Sequence, residues 1–424
     1  MKTLGKTLAV SGLLLALAAC GGGGGGPVTI TVAGKVVGTN NQPVNGVPVV
    51  ISGRPSVITA ADGTFSVAGV TAPYDATVVN ATTKQSIVYK GLTRPDPTLL
   101  FVGSIPGTPQ SATLSGTISG GAFTPNQPAD HTTKVVFASA EASESVTLLG
   151  AVSGAYNLGT VSWFGPATTT GTIHALQWQR DAGGLPIDYK GYGTKTGVAL
   201  SNGGAFPGQN VALTNVAEAN LSGSVSVPTG YTLSGKVLRV SFSPNANVPV
   251  LTDGTATNNF SYVTPNIGGA TMLLAAAATK PAVAQVISYK AGIAPSATGV
   301  SLNIPAAPEL GLPANAATNI TPSIDFSWSA FSGGVYLVYF DGPGSQPDYY
   351  IVTTATTTRI PDLSSLGLAL PPATSYSWSV YAFAPFASVD AAAGPEGFLA
   401  GLFSLPSSDR SIALTNSRTF TTAP

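Results

Sequence analysis

The sequence predicts an all-β protein built as a tandem series of β-sandwich modules. Three observations predict it. First, charged residues make up only 8% of the 424, with 18 Lys+Arg against 18 Asp+Glu; a typical globular chain carries about 25%. Second, 50 Gly and 33 Pro divide the chain into short runs rich in Val, Thr and Ile, many alternating with period two. Such runs suit strands, and Gly and Pro suit the turns between them. Third, one strand motif recurs at a fixed spacing of 100 residues, the mark of an internal repeat. Long runs of Glu, Lys and Leu at helical spacing are missing. The net charge of zero argues against nucleic acid as a partner.

The first segment to justify is the start. Lys2 and Lys6 precede an apolar run from Leu8 to Ala19. At about a dozen residues it is too short to span a bilayer as a mature helix. It ends in Leu17-Ala18-Ala19-Cys20, and Cys20 is the only cysteine in the chain. This ending resembles a bacterial lipobox. The resemblance implies that residues 1–19 are a signal peptide and that Cys20 becomes the acylated N-terminus. Residues 20–27 would then be the lipidated cysteine and a glycine leash, Gly21 to Gly26. Two or more acyl chains anchor stably, at about 0.8 kcal/mol per buried CH₂. In lipoproteins an Asp after the cysteine signals inner-membrane retention. Gly21 stands there instead, so the expected location is the bacterial cell envelope, on the outer membrane. The longest later apolar run, Met272 to Ala278, is too short to cross a membrane.

Residues 28–105 form the first expected module. Ile30 to Val37 reads as a strand, Asn40-Asn41-Gln42-Pro43 as a turn, and Val44 to Ile51 as a second strand. Asp62-Gly63 between β-formers reads as a hairpin, because Gly63 accepts positive φ. Gly34, Val36, Pro43, Val44, Gly46, Val47, Val49, Thr59, Asp62, Gly63 and Phe65 together resemble the carboxypeptidase regulatory-like family. That resemblance implies a transthyretin-like β-sandwich used as a non-catalytic accessory module. Asn41 departs from the family's usual Gly, and Asn also visits left-handed backbone.

Residues 111–216 and 218–304 are read as two further β-sandwich repeats. The repeat motif is Ile87-Val88-Tyr89-Lys90-Gly91, Ile187-Asp188-Tyr189-Lys190-Gly191 and Ile287-Ser288-Tyr289-Lys290-Ala291. A short apolar strand follows each copy: Leu99 to Val102, Val198 to Leu200, and Val300 to Leu302. The openings around Gly34, Gly116 and Gly223 also recur. The expectation for each copy is a Tyr packed at a strand end with Lys as its solvated neighbour. Thr172 to Gln179 alternates, but neither face is cleanly apolar, so the sequence leaves open which is buried.

Residues 308–424 follow the stiff linker Pro305 to Pro308. Trp328, then Leu370-Pro371-Pro372-Ala373-Thr374-Ser375-Tyr376, then the last strand Arg418 to Thr422 resemble the fibronectin type III family. The resemblance implies an Ig-like sandwich in which Tyr376 is a tyrosine corner, bonding back to the backbone. The departure is the long connection Pro385 to Ser417, with an apolar stretch around Phe398, Leu399, Leu402 and Phe403. A loop this long is functional or self-packed.

Motifs for chemistry are sparse. The two histidines, His131 and His174, lack metal-ligand spacing, so no metal and no cofactor is expected. No Gly-x-Ser-x-Gly in a strand-turn-helix context and no phosphate-binding glycine motif occurs. The expected role is non-enzymatic: a lipid-anchored string of modules for adhesion, interaction or envelope structure. The alternative is a carbohydrate-binding accessory lipoprotein beside secreted hydrolases. Its partners would be the membrane, through Cys20, and a protein or polysaccharide ligand. Ligand-binding candidates are Trp163 and Trp178 as sugar platforms, and Phe398 and Phe403 in the long connection.

Overall fold

The computed structural model describes residues 29–103, 107–120, 130–149, 154–243, 245–395, 397–398 and 405–424. The signal peptide, Cys20, the glycine leash and Phe403 lie outside them. Among the described residues the regular structure is nearly all strand; the short α-helix Val389–Ala392 and the 3-10 turn Ser364–Leu366 are among the exceptions. None of their helices is long and apolar enough to cross a membrane.

The first three modules share one topology. In each, an opening strand pairs antiparallel with a middle strand and parallel with a closing strand. In the first module Thr29–Val37 lies between Thr64–Thr71 and Thr98–Leu100. In the third, Ala217–Ser226 lies between Asn259–Asn266 and Val300–Asn303. In the second, Gln110–Gly120 pairs antiparallel with Ala155–Trp163 and parallel with Ala205–Phe206 and Val211–Leu213. This corrects the expected equivalence of Val198 to Leu200, which instead ends the long strand Pro186–Ser201. The facing sheets also run in a common order. They are Val57–Ile58, Pro48–Ile51, Tyr74–Asn80, Gln85–Leu92; then Ser143–Leu149, His131–Ala138, Thr168–Arg180, Pro186–Ser201; then Ala246–Asp253, Thr232–Ser243, Thr271–Lys280, Ala284–Ile293.

Local chemistry explains the turns. Gly63 has φ +76°, and a Cβ there would sit 2.6 Å from the Val36 carbonyl, so only glycine fits. Asp62 Oδ1 accepts from the Thr64 amide at 3.0 Å and closes the hairpin. Asn41 takes φ +60°, the left-handed conformation expected of it.

The modules do not form a linear string. Gln85–Leu92 of the first pairs parallel with Asp348–Thr353 of the fourth. Ala284–Ile293 of the third pairs antiparallel with Arg410–Thr415. The fourth module is therefore seated between equivalent edge strands of modules one and three, and a single fourteen-stranded sheet results. An edge strand presents unpaired amides and carbonyls. Here two such edges are used up inside the molecule.

The second module stands against the third. Its strand Thr168–Arg180 is covered on both faces. Ile173 and Ala175 face the module's own second sheet. Leu176 and Trp178 join the core of the third module. That settles the ambiguous alternation of Thr172 to Gln179: neither face is solvated. His174 stacks on Phe242 of the third module, centroids 4.5 Å apart, and its Nδ1 lies 2.8 Å from the Tyr192 hydroxyl. Burial pushes the imidazole down to about 4.

In the fourth module the Tyr376 hydroxyl donates to the Pro347 carbonyl at 3.1 Å, a bond back to the upstream backbone. Phe326, Phe340, Trp378 and Phe420 pack edge to face around it as the core.

Candidate binding face

The three sequence-predicted aromatic positions that the structure describes are all buried, and this corrects the readings placed on them. Trp163 is 1% exposed, and its indole donates to the Pro166 carbonyl at 2.8 Å. Trp178 is 4% exposed because the third module covers its face of the strand. Neither ring is available as a sugar platform. Phe398 is 3% exposed, set against Tyr89 and Phe383 with centroids at 6.4 and 5.3 Å.

The connection Pro385 to Ser417 has its described parts docked on the modules, while residues 396 and 399–404 lie outside the described residues. Its helix Val389–Ala392 docks on the first module. Asp390 accepts from the Thr93 hydroxyl and, at 2.8 and 3.1 Å, from the amides of Thr93 and Arg94. The Arg94 guanidinium returns a bond to the Asp390 carbonyl at 2.9 Å. Its strand Arg410–Thr415 fills the gap between modules three and four, pairing with Ala284–Ile293 and with Ser375–Ala384. A long loop in sequence is thus a clamp across three modules.

The three tyrosines of the repeat also diverge. Tyr89 is buried, and its hydroxyl accepts from the Leu100 amide at 3.0 Å. Tyr189 is buried against Trp178. Tyr289 is only half-buried. The lysines are less solvated than expected, each held by an aspartate: Lys90 by Asp75, Lys190 by Asp188, Lys290 by Asp409. In the first and third modules the same aspartate also accepts from the next amide, that of Gly91 or Ala291. For Lys290 that aspartate belongs to the long connection.

Tyr289 leads to a broad face over which no second sheet lies among the described residues. The fourteen-stranded sheet has two faces, and different layers cover each. On one face, Phe340, Ile351, Trp378 and Val380 join Leu238, Val240, Met272 and Val286 in a common core. On the other, Val335, Leu337, Val352 and Phe383 join the first module's core, roofed further by Val389, Ala392 and Phe398. The pairings Ile412 with Phe383, and Tyr289 with Arg410, carry this second face on into the third module. There, among the described residues, no second sheet lies over it, and Leu405, Pro406 and Ser407 line cavities on it.

The register lays out the uncovered area. Val237 pairs with Ala275, Ala275 with Tyr289, and Tyr289 with Arg410. With neighbouring strands about 4.8 Å apart, this row spans roughly 14 Å. A parallel row runs through Gly235, Ala277 and Ile287. A cavity of about 350 Å³ opens here, floored by small residues and bordered by Arg239, Ile287, Tyr289 and Leu405. A second, of about 310 Å³, adjoins it beyond Tyr289 and includes Lys290, Asp409 and Arg410.

Cations and carboxylates both border the face: Asp253 lines the first cavity and Asp409 the second, each paired with a lysine, while Arg239 is not so paired. Burial lowers both Arg239 and Arg410 from the ordinary guanidinium value. Burial raises the Tyr289 hydroxyl, and the charges of Arg239 and Arg410 pull it partly back. Lys134 of the second module also feels the Arg239 charge. Among the described residues no carboxylate lies within ion-pair distance of Arg239. On the opposite face of the same strand, Lys236 is fully buried. Its ammonium meets Asp253 at 3.1 Å and the carbonyls of Thr255 and Thr257 at 3.1 and 2.9 Å. Asp253 also accepts from the Tyr262 hydroxyl at 2.6 Å and the Thr255 amide at 2.8 Å. This network fixes the strand end from below.

Sequence reasoning missed Arg239 and gave Tyr289 a packing role. A signal existed: Arg239 alternates with Leu238 and Val240, and opposite it Ala275 to Ala278 offers no bulk on either face. Among the described residues no three His, Cys, Asp or Glu side chains gather as metal ligands. The arrangement is suited to binding: a flat apolar floor, an aromatic ring and desolvated guanidinium groups.

No protein family and no curated protein matches the chain. Among solved structures it is similar to the Bacillus anthracis TIE protein, at 10% identity over 65% of this chain and 50% of that one, with a TM-score of 0.16. It is similar to the fimbrial anchor protein Mfa2 from Porphyromonas gingivalis, at 14% identity, 43% and 78% coverage, and a TM-score of 0.17. It is also similar to a tetra-tandem repeat in the extending region of a large adhesion protein, at 13% identity, 93% and 98% coverage, and a TM-score of 0.15. The chain spans about half the length of the first of these. Scores this low mark no common overall arrangement.

Proposed function

We propose that this chain is a non-enzymatic, lipid-anchored protein of the bacterial cell envelope, tethered through Cys20, that presents the uncovered sheet face to a ligand. The observation that carries the reading is that face. Among the described residues the rest of the sheet is covered by the two large cores, and this face holds Arg239, half-buried and with no carboxylate within ion-pair distance, over a largely apolar floor. Desolvating a guanidinium without an ion-pair partner is costly, and a ligand offsets that cost. The lipobox at Leu17 to Cys20 supplies the tether, and six glycines between anchor and fold supply reach of about 13 Å. Retention on the outer membrane is part of the same proposal, from Gly21 after the cysteine.

Membrane fractionation of cells making the full chain or Cys20→Ser tests the tether. The full chain is expected in the membrane fraction and Cys20→Ser in the soluble one. If the variant stays with the membrane, the tether assignment is wrong.

A further inference from the structure

We infer that the uncovered face binds carboxylate-bearing sugar rings, as found in an acidic polysaccharide; this rests on reading that face as the ligand site. Three features select this class. The first is charge. Arg239 has no carboxylate within ion-pair distance among the described residues, and Arg410 stands beside Tyr289 across the strand pair. A carboxylate takes two parallel hydrogen bonds from one guanidinium, which a neutral hydroxyl does not.

The second is shape. Ala275 and Ala277 give a floor without protruding side chains, and Tyr289 stands at its border. A pyranose presents a flat C–H face that lies on such a floor, while its carboxylate reaches outward to Arg239. The third is the type of sheet surface. This is a sheet face and not an edge, and the backbone groups of Thr232–Ser243, Thr271–Lys280 and Ala284–Ile293 are spent on their neighbours. An extended acidic peptide gains its affinity from main-chain pairing at an edge; the strands that carry the floor are interior to the sheet, and its edge strand, Ala246–Asp253, reaches the cavity only at Thr252 and Asp253. The chain's neutrality also matters: with 18 cations against 18 anions, attraction of an acidic polymer has to come from a local cluster.

The test is calorimetric titration of the full chain in detergent micelles with four probes: trigalacturonate, its methyl ester, a poly-glutamate peptide and inorganic phosphate. Trigalacturonate is expected to bind, and its affinity to fall about tenfold when salt rises from low to physiological levels. The methyl ester is expected to bind at least tenfold more weakly. Arg239→Gln is expected to cost about tenfold or more, Tyr289→Ala several-fold, and Arg359→Gln, an exposed charge in the fourth module, nothing. Melting curves of each variant separate loss of binding from loss of fold.

Equal binding of acid and ester overturns the inference, as does retention of full affinity by folded Arg239→Gln. Binding of the peptide but not the sugar overturns it in favour of a protein partner. Binding of phosphate as tightly as trigalacturonate reduces the face to a general anion site and overturns the sugar assignment. No binding of any probe by the folded chain overturns the inference and counts against the face as a ligand site, while the tether is judged separately by fractionation.

Discussion

Removing the Asp253 carboxylate is the sharpest perturbation of the scaffold under the binding face. Lys236 has a side chain with no solvent exposure and three partners: Asp253, the Thr255 carbonyl and the Thr257 carbonyl. Asp253→Ala leaves the ammonium with two neutral acceptors and no countercharge. Breaking a buried pair from one side costs about 3–5 kcal/mol. The reverse change differs. Lys236→Met keeps the volume and removes the charge, and Asp253, 9% exposed, keeps its bonds from Tyr262 and Thr255. That variant is expected to lose only about 1–2 kcal/mol. Burial pushes the Asp253 pKa up, but hydrogen bonds from Tyr262, Thr255 and Lys236 outweigh it and bring the carboxyl down to about 2. A depressed carboxyl stabilises the fold above its unfolded value, near 3.9, and the contribution is lost as pH falls through 2; here it is about 2 kcal/mol. Urea unfolding of the three proteins at neutral pH, repeated between pH 5 and 2, is the assay. Asp253→Ala should be the least stable at neutral pH and should show the shallower loss toward pH 2. If Lys236→Met were the more damaging of the two, or both cost under about 0.5 kcal/mol, the pair would be hydrated and the reasoning refuted.

Other outcomes follow from the same geometry. Ile412→Pro, inside a strand paired on both sides, should cost about 3 kcal/mol or more and expose the junction of modules three and four to protease; an unchanged digestion pattern contradicts the clamp. Phe398→Ala removes a buried ring from the first module's roof and should cost about 3 kcal/mol in thermal or urea unfolding. His174 is held down at about 4, so the unfolded chain takes up a proton first as pH falls below 6.5. Stability should therefore decline from pH 6.5 to 4, and His174→Gln should flatten that decline; an identical slope would show the imidazole is hydrated.

The class of fold was legible because strand periodicity and turn chemistry are local. Gly63 and Asn41 both take the positive φ that glycine and asparagine tolerate best. The repeat of Ile-x-Tyr-Lys was legible too, since it is written in single residues. What the repeat does was not legible, because that depends on which neighbour meets each edge. Tyr89 and Tyr289 share a motif, yet a roof of Phe398 covers one, while the other is half-buried beside Arg410 and on the rim of a cavity that Leu405 also lines. Trp178 reads as an exposed ring in a polar stretch, and burial of its face comes from a module one step along the chain. The long connection reads as a candidate binding loop because insertion between two existing strands leaves no mark in its own composition. Arg239 was passed over for a related reason: one outward cation in an alternating strand looks like ordinary solvation until the missing carboxylates around it are known.

The most direct measurement is capture of labelled polygalacturonate by cells displaying the full chain, compared with Ala277→Trp. That substitution fills the floor from the solvent side and leaves Arg239, Tyr289 and the buried core in place. With equal membrane content and equal melting behaviour, capture is predicted to disappear in Ala277→Trp. Undiminished capture by the filled face would contradict the account.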